Sequence, residues 1–469
     1  MLRLIIEKEI RDIIGSTKFA VTFGACSVLI LLAFFVGATS YHTDVARYEA
    51  ARRENLKQIE GLTDWLMVRN NRVFLPPDPL ANLVTGVSND IGRTTEVRGR
   101  GDLPQDGSRY NDEPVFAVFR FLDLEFIFQI VLSLFAILFA YDGINGEKER
   151  GTLRLAFANP LPRGVYIAGK YMGSFAALAV PLLVPILLGS LILPMMGVPM
   201  SGDQWARLAL IVAAGILYFG VFLAIALAVS ALTVRSSSSF LGLLVIWIFA
   251  VLIIPRSAIL IAGRAVDVPS VDEIGARKAR LNQQLWTEDR EKMSSFKPAA
   301  GDPQNMMSEF QKFMGAIADE REKRMNELTT SLNEERANRQ AVQEGLAFGI
   351  ARVSPSASFS LAAATLAGTS LSLKQRYREA ALAYQGTFGK FMLEKTGMNP
   401  GGGMVFRMVT TDSEKPKPID PNELPPFEYR PPVLAELLPA ALLDFGLLGL
   451  FCMVFFGVAH LAFLRYDLR

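Results

Sequence analysis

LALIVAAGILYFGVFLAIALAVSALTVRSSSSFLGLLVIWIFAVLIIP, residues 208–255, holds two apolar runs parted by a short turn at 234–237 that carries Arg235. An α-helix rises about 1.5 Å per residue and the hydrocarbon core of a bilayer is about 30 Å thick, so about 20 apolar residues cross it. The runs 208–233 and 238–255 therefore read as two membrane spans joined by a tight turn. Four more runs meet the same criterion: 19–40, 122–141, 172–193 and 436–464. The expected fold is an all-α membrane protein with six transmembrane helices.

The rest of the chain is strongly polar. Of 469 residues 51% are hydrophobic, yet the mean hydropathy is only +0.29. This excludes a soluble enzyme, and also a compact transporter with short loops throughout. Basic and acidic residues nearly balance, 48 against 46, which gives no reason to expect nucleic-acid binding. The first run resembles a signal peptide, but its apolar core is long and 18 residues of mixed charge precede it, so it reads as a retained span. Cys26, Cys452, His42 and His460 are scattered, and both cysteines fall in apolar runs, where they act as small hydrophobes. No metal site or disulfide framework is expected.

Orientation follows from lysine and arginine in the short connections. Arg3, Lys8, Arg11 and Lys18 precede the first span. Lys148, Arg150, Arg154, Arg163 and Lys170 lie in or beside the 142–171 connection, Arg235 in the 234–237 turn, and Arg465 and Arg469 at the end. The short 194–206 loop, on the opposite side, has no basic residue. Both termini and the 142–171 connection are therefore expected in the cytoplasm, and the long segments 41–121 and 256–433 outside it. In residues 1–18, Leu2, Ile5, Ile6, Ile10, Ile13 and Ile14 fall near one helical face, which suits a helix lying in the cytoplasmic interface. A plain extension of the first span is the alternative.

Residues 41–65 read as a helix rising from the first span, followed by a proline-led turn and a short apolar stretch, PPDPLANLVTGVSNDIG (76–92). The 256–433 insertion reads as mostly helical. Phe310, Phe313, Ile317, Met325, Leu328 and Leu332 recur at helical spacing in a proline-free run from Asn305 to Ser354. Val271, Ile274, Leu281 and Leu285 suggest an antiparallel partner helix, and a third helix is expected over 371–396. A strap with eight prolines between Pro400 and Pro432 then leads to the last span. With 24 basic against 22 acidic residues, the insertion is not built for an anionic polymer. It reads as a solvated helical cap or stalk, or as a docking face for a partner.

The stretch with chemistry is YDGINGEKERGTLRLAFANPLPRGVYIAGKYMG, 141–173. Charged Glu147, Lys148, Glu149 and Arg150 lead into Gly151-Thr152-Leu153, and Leu153, Leu155 and Phe157 form an apolar face. Thr152 is placed to cap a short helix. A short amphipathic helix with charged flanks suits a groove on a soluble partner. The GVYIAGKY run at 164–171 nearly spells a phosphate-binding loop, but Tyr171 replaces the hydroxyl residue that holds magnesium and no strand precedes it, so this chain is not expected to bind ATP.

The ExExGTL pattern, carried here by Glu147, Glu149, Gly151, Thr152 and Leu153 after the second of six spans, resembles the permease subunits of type-2 ABC exporters. The SPSAS…LAGTS segment before the last span and the PPDPL…G stretch resemble a subgroup with a large extracytoplasmic insertion, related to permeases associated with copper-enzyme maturation and gliding motility. The resemblance implies that 142–171 is a coupling loop docking, through Glu147, Glu149, Arg150, Gly151, Thr152 and Leu153, on a separate ABC ATPase. It implies two ATPase copies, a second or homologous permease, ATP and Mg in the partner rather than in this chain, and a bacterial inner membrane.

Among polar residues in or near the spans, Glu125, Gln129 and Asp444 are candidates for a translocation path, with Asp123 beside them. Pairing with Arg120 or Arg256 is the plainer alternative. Trp205 reads as an interface anchor and Trp247 as a packing residue. Two functions follow: export of a hydrophobic or lipid-linked cargo driven by a partner ATPase, or transmission of ATPase motion to an envelope partner without cargo. An ATP-independent anchor is a third, and the coupling loop argues against it.

Overall fold

A computed structural model describes residues 1–68, 70–88, 91–98, 105–106, 123–158, 161–296, 303–397 and 418–465. Helix α1 (Leu2–Ile14) lies against the bundle, and α2 (Thr17–Lys57) follows a Ser16 cap. At 41 residues α2 is about 60 Å long, twice the thickness of a hydrocarbon core, so the helix expected over 41–65 is its continuation as far as Lys57. The second span, α3 (residues 124–140), leads through a turn into α4 (Asn145–Glu149) and α5 (Thr152–Ala156). Helices α6 (Arg163–Met195), α7 (Gly202–Leu232) and α8 (Ser236–Ala265) form the next three spans. Beyond them come α9 (Val271–Ser295), α10 (Pro303–Ala351), α11 (Pro355–Ala367) and α12 (Ser372–Thr396), and the last span is α13 (Leu434–Leu464). Among the described residues six helices are long and apolar enough to cross a membrane, which makes this a helical multi-pass membrane protein.

Helix α7 is apolar on every face and sits at the centre of the core, as such a helix must. Gly215 leaves room for the Phe128 ring of α3, and Tyr218 stacks on Phe359 of α11 at 5.0 Å. At the other end of the bundle α1 crosses α6 over Gly169 and Gly173, whose missing side chains let Ile5, Ile6 and Glu9 approach the α6 backbone.

The SPSAS…LAGTS segment is a helix almost entirely buried among α3, α7 and α13. With 13 residues it reaches about 20 Å, too short to span, so the length criterion passed over it. Ser354 donates to the Ala250 carbonyl of α8, within a widened π-helical turn at Ile248–Ile253. A second such turn, Ile127–Leu132 in α3, exposes the Gln129 carbonyl to the Tyr218 hydroxyl at 3.0 Å.

A second element was also not anticipated from the sequence. The first long loop carries a small antiparallel sheet, β1 (Asn70–Phe74), β2 (Thr94–Arg98) and β3 (Gln105–Asp106), paired Asn70↔Arg98 through Phe74↔Thr94 and then Thr94↔Asp106. Val73 and Val97 face α12, where Tyr384, Phe388 and Met392 close a small core with Trp65 and Leu424. The part of the strap at 400–417 lies outside the described residues; farther on, the Ile419 amide donates to the Leu62 carbonyl at 2.8 Å.

Apart from that lobe stands an arm. Helix α10, 49 residues and about 73 Å long, runs beside α9 as the expected antiparallel hairpin. Asp289–Arg321 at 3.0 Å, Lys292–Glu320 at 2.7 Å and the Arg321 guanidinium over the Trp286 ring bind the two together.

Candidate functional site

The 141–163 connection is fastened on three sides. Glu147 is turned inward: its carboxylate accepts from the Tyr166 hydroxyl at 2.6 Å, the Lys170 ammonium at 2.7 Å and the Lys8 ammonium at 2.9 Å. Lys170 is 4% exposed and is also paired with Glu9 of α1 at 2.7 Å. Burial works against the charge on Lys8, but the hydrogen bond and charge of Glu147 outweigh it and the Lys8 pKa is raised. Glu147 thus ties α4 to α1 and to the first turns of α6.

The second fastening is to the α7–α8 turn. Ser230 accepts from the Ile144 and Asn145 amides at 3.0 and 3.2 Å, and the Lys148 ammonium donates to the Ala231 carbonyl at 2.9 Å, at the end of α7. Glu149 accepts from the Ser236 amide at 2.9 Å and hydroxyl at 2.8 Å, capping α8 from a neighbouring segment. The third is aromatic: Phe157, Tyr166 and Phe463 of α13 cluster with centroids 5.1–5.7 Å apart. Arg163 closes that helix by donating to the Leu464 carbonyl at 2.6 Å.

Of the six residues singled out in this connection, Glu147 and Leu153 are buried, and Glu149, Arg150, Gly151 and Thr152 are exposed. Thr152 does not cap α5. Gly151 occupies that position at φ +72, a left-handed conformation open to glycine, and the Thr152 hydroxyl donates back to the Glu147 carbonyl at 3.4 Å. Besides Glu149 and Gly151, the outward surface includes Arg150, Thr152, Arg154 and Leu155, with Leu155 73% exposed. The sequence reading missed Tyr166, Lys170 and Glu9 as partners. Tyr166 and Lys170 are four apart on one helical face, a signal that was visible inside the discarded GVYIAGKY run.

The other candidates gather around α11. Gln129 donates to the Ser356 hydroxyl at 2.6 Å, and the Ser360 hydroxyl donates to Glu125. Four residues farther along α3, the Ser133 hydroxyl accepts from the Trp247 indole at 2.8 Å, so Trp247 is packed and hydrogen-bonded as well. Asp123 caps the start of α3, accepting from the Phe126 amide at 2.8 Å. Asp444 is 1% exposed and holds Arg352 on both oxygens, at 2.6 and 3.1 Å. Of the arginines weighed from the sequence, Arg256 of α8 makes no pair with it, and Arg120 lies outside the described residues. The turn that returns α10 to the bundle delivers Arg352 instead.

Six membrane helices, a short helix laid across their base and a connection pinned to α1, α6, α8 and α13 define a multi-pass membrane subunit with one rigidly built surface at the end that bears α1. The chain belongs to the ABC-2 family transporter proteins, whose profile matches residues 3–373. It is therefore a transport component and not an enzyme. It is similar to the "Probable ABC transporter permease protein NosY" of Pseudomonas aeruginosa, 34% identical over 136 aligned positions, and to that of Stutzerimonas stutzeri, 36% identical over 126. Each match covers 26% of this chain and 45% of the relative, so the chain spans about half the length of the curated relatives it matches.

Proposed function

We propose that this chain is the permease subunit of an ATP-driven transporter, and that its ATPase is a separate polypeptide docking on residues 150–158. The observation that carries the reading is Leu155. It is a large apolar side chain held out to solvent on a five-residue helix, while Glu147, Glu149 and Leu153 beside it are spent on fixing that helix to the bundle. A rigidly mounted apolar knob next to Arg154 in the chain fits a groove with an acidic rim. ATP and Mg belong to the partner. Two permease copies work with two ATPases in a bacterial inner membrane, and the basic short connections support a cytoplasmic docking surface and cytoplasmic termini. The cargo is hydrophobic or lipid-linked: Asp444 is already neutralised by Arg352, and Glu125 and Gln129 are engaged by Ser360 and Ser356, which disfavours an inorganic ion.

A second reading, transmission of ATPase motion to an envelope partner without cargo, is favoured by the arm: a pore has no need of a 49-residue helix standing off the bundle. The test of docking is the Leu155→Asp, Arg154→Glu double variant. It should leave the fold intact, since both side chains are exposed, and should abolish copurification of the ATPase. Undiminished ATPase recovery would remove 150–158 as the docking surface.

A further inference from the structure

Two membrane helices are held by the 141–163 connection and both meet α10, α8 along its outer part Ile254–Ala265 and α13 at Asp444. Helix α8 starts at Ser236, held by Glu149, and just past its far end the carbonyls of Val266 and Asp267 accept from Gln343 and Arg339 of α10, each at 3.1 Å. Helix α13 ends at Phe463 and Leu464, held by Phe157, Tyr166 and Arg163, and its Asp444 grips Arg352 at the base of α10. We infer that α10 is a lever mounted on these two pillars, converting a small lateral movement of α8 against α13 into a larger sweep of the α9–α10 arm. The inference rests on the proposed docking of an ATPase at 150–158.

The geometry sets the gain. At about 1.5 Å per residue, the attachments at Gln343 and Arg352 lie about 13 Å apart along α10. Ser331 is about 18 Å beyond Gln343, and Ala316 about 40 Å beyond it. With Arg352 held to α13, a lateral shift of α8 by about 1 Å at Gln343 then carries Ser331 about 2.3 Å and Ala316 about 4 Å, the arm being stiff. Stiffness comes from the proline-free run 304–351 and from the ion pairs with α9. The buried pair at the base is what makes the α13 attachment bind: Asp444, in the apolar core, has strong cause to keep its guanidinium partner. A protein interior is close-packed and low in compressibility, so displacement at the pillars is transmitted rather than absorbed.

The lobe built on α12 supplies the fixed reference, since Arg376 ties it to Glu436 at the start of α13 at 3.2 Å. Fluorescent donor–acceptor amino acids are placed at exposed Arg378 and at either exposed Ser331 or exposed Ala316, in the full chain with its copurified ATPase in nanodiscs. Distances are compared without nucleotide and with ATP plus vanadate. The lever requires a shift at Ala316 about 1.7 times that at Ser331. Asp444→Asn should cut the Ala316 shift to less than half while ATP turnover persists. Equal shifts at the two positions, no shift at either in a complex that hydrolyses ATP, or an undiminished Ala316 shift in Asp444→Asn each overturn the lever. Should Asp444→Asn fail to fold, the ratio in the unaltered chain decides by itself. If no ATPase copurifies, the docking reading falls and the lever falls with it; a complex that forms and turns over without arm motion sinks the lever alone.

Discussion

Replacing Glu147 should free α1 from the bundle. The carboxylate receives three donors, from Tyr166, Lys170 and Lys8 at 2.6–2.9 Å, and two of these are ammonium groups. Removing one partner of a buried ion pair costs about 3–5 kcal/mol when the other charge is stranded. Lys170 is not wholly stranded here, because Glu9 remains at 2.7 Å, so Glu147→Ala falls at the low end, about 3 kcal/mol. Glu147→Gln keeps an oxygen acceptor and loses only the charge, and a cost of about 2 kcal/mol is expected. Tenfold in an opening equilibrium corresponds to about 1.4 kcal/mol, so amides of α1 should exchange with deuterium about 150-fold faster in the alanine variant and about 30-fold faster in the glutamine variant. The assay is hydrogen–deuterium exchange with mass spectrometry on the detergent-solubilised chain, following a peptide that covers Leu2–Ile14. A peptide from α11 serves as the control, since α11 touches none of these groups. Exchange of α1 within about threefold of the unaltered chain in both variants would refute the fastening role assigned to Glu147.

Other outcomes follow from particular positions. Gly151→Ala meets no steric obstacle, so its cost is the left-handed backbone alone, about 1 kcal/mol, and Gly151→Asn should cost less; faster exchange across 152–157 in the order Ala, Asn, Gly checks it. Gly215→Ala places a methyl group on the Phe128 ring and should cost about 1–3 kcal/mol in thermal unfolding, whereas Gly24→Ala, with open space around it, should be neutral or slightly stabilising; the reverse order would contradict the α3–α7 packing. Replacing 288–322 by a short Gly-Ser turn keeps the Gln343, Arg339 and Arg352 attachments, and should preserve ATP turnover in the complex while removing cellular output. Retained output restricts the arm to a cap.

The bundle was legible because its signal is one of length: a run of about 20 apolar residues has few other places to go. The α9–α10 hairpin was legible for a related reason, since Phe313, Ile317 and Leu332 keep helical spacing without a proline. Helix α11 escaped because a 13-residue apolar helix meets no spanning criterion, and its burial depends on α7 and α13, remote in sequence. The sheet escaped because NNRVF and TTEVR are five residues each, mostly polar, and paired only through a register that folding creates. In the connection, the sequence did not show which way each side chain faces. Glu147 and Glu149 read as charges offered to a partner, yet Lys170, Lys8 and Ser236 claim them. Of the apolar face read as fitting a partner's groove, Leu155 points outward, whereas Leu153 is buried.

Leu155→Cys offers the most direct test of the central claim. With Cys26 and Cys452 replaced, the tagged chain is expressed in its own host, treated with a short thiol-to-amine crosslinker and purified, and the crosslinked partner is identified by mass spectrometry. A soluble ATP-binding subunit joined at residue 155 in equal number to the permease is the result expected. Recovery of the chain without an ATPase crosslinked at this position would contradict the account.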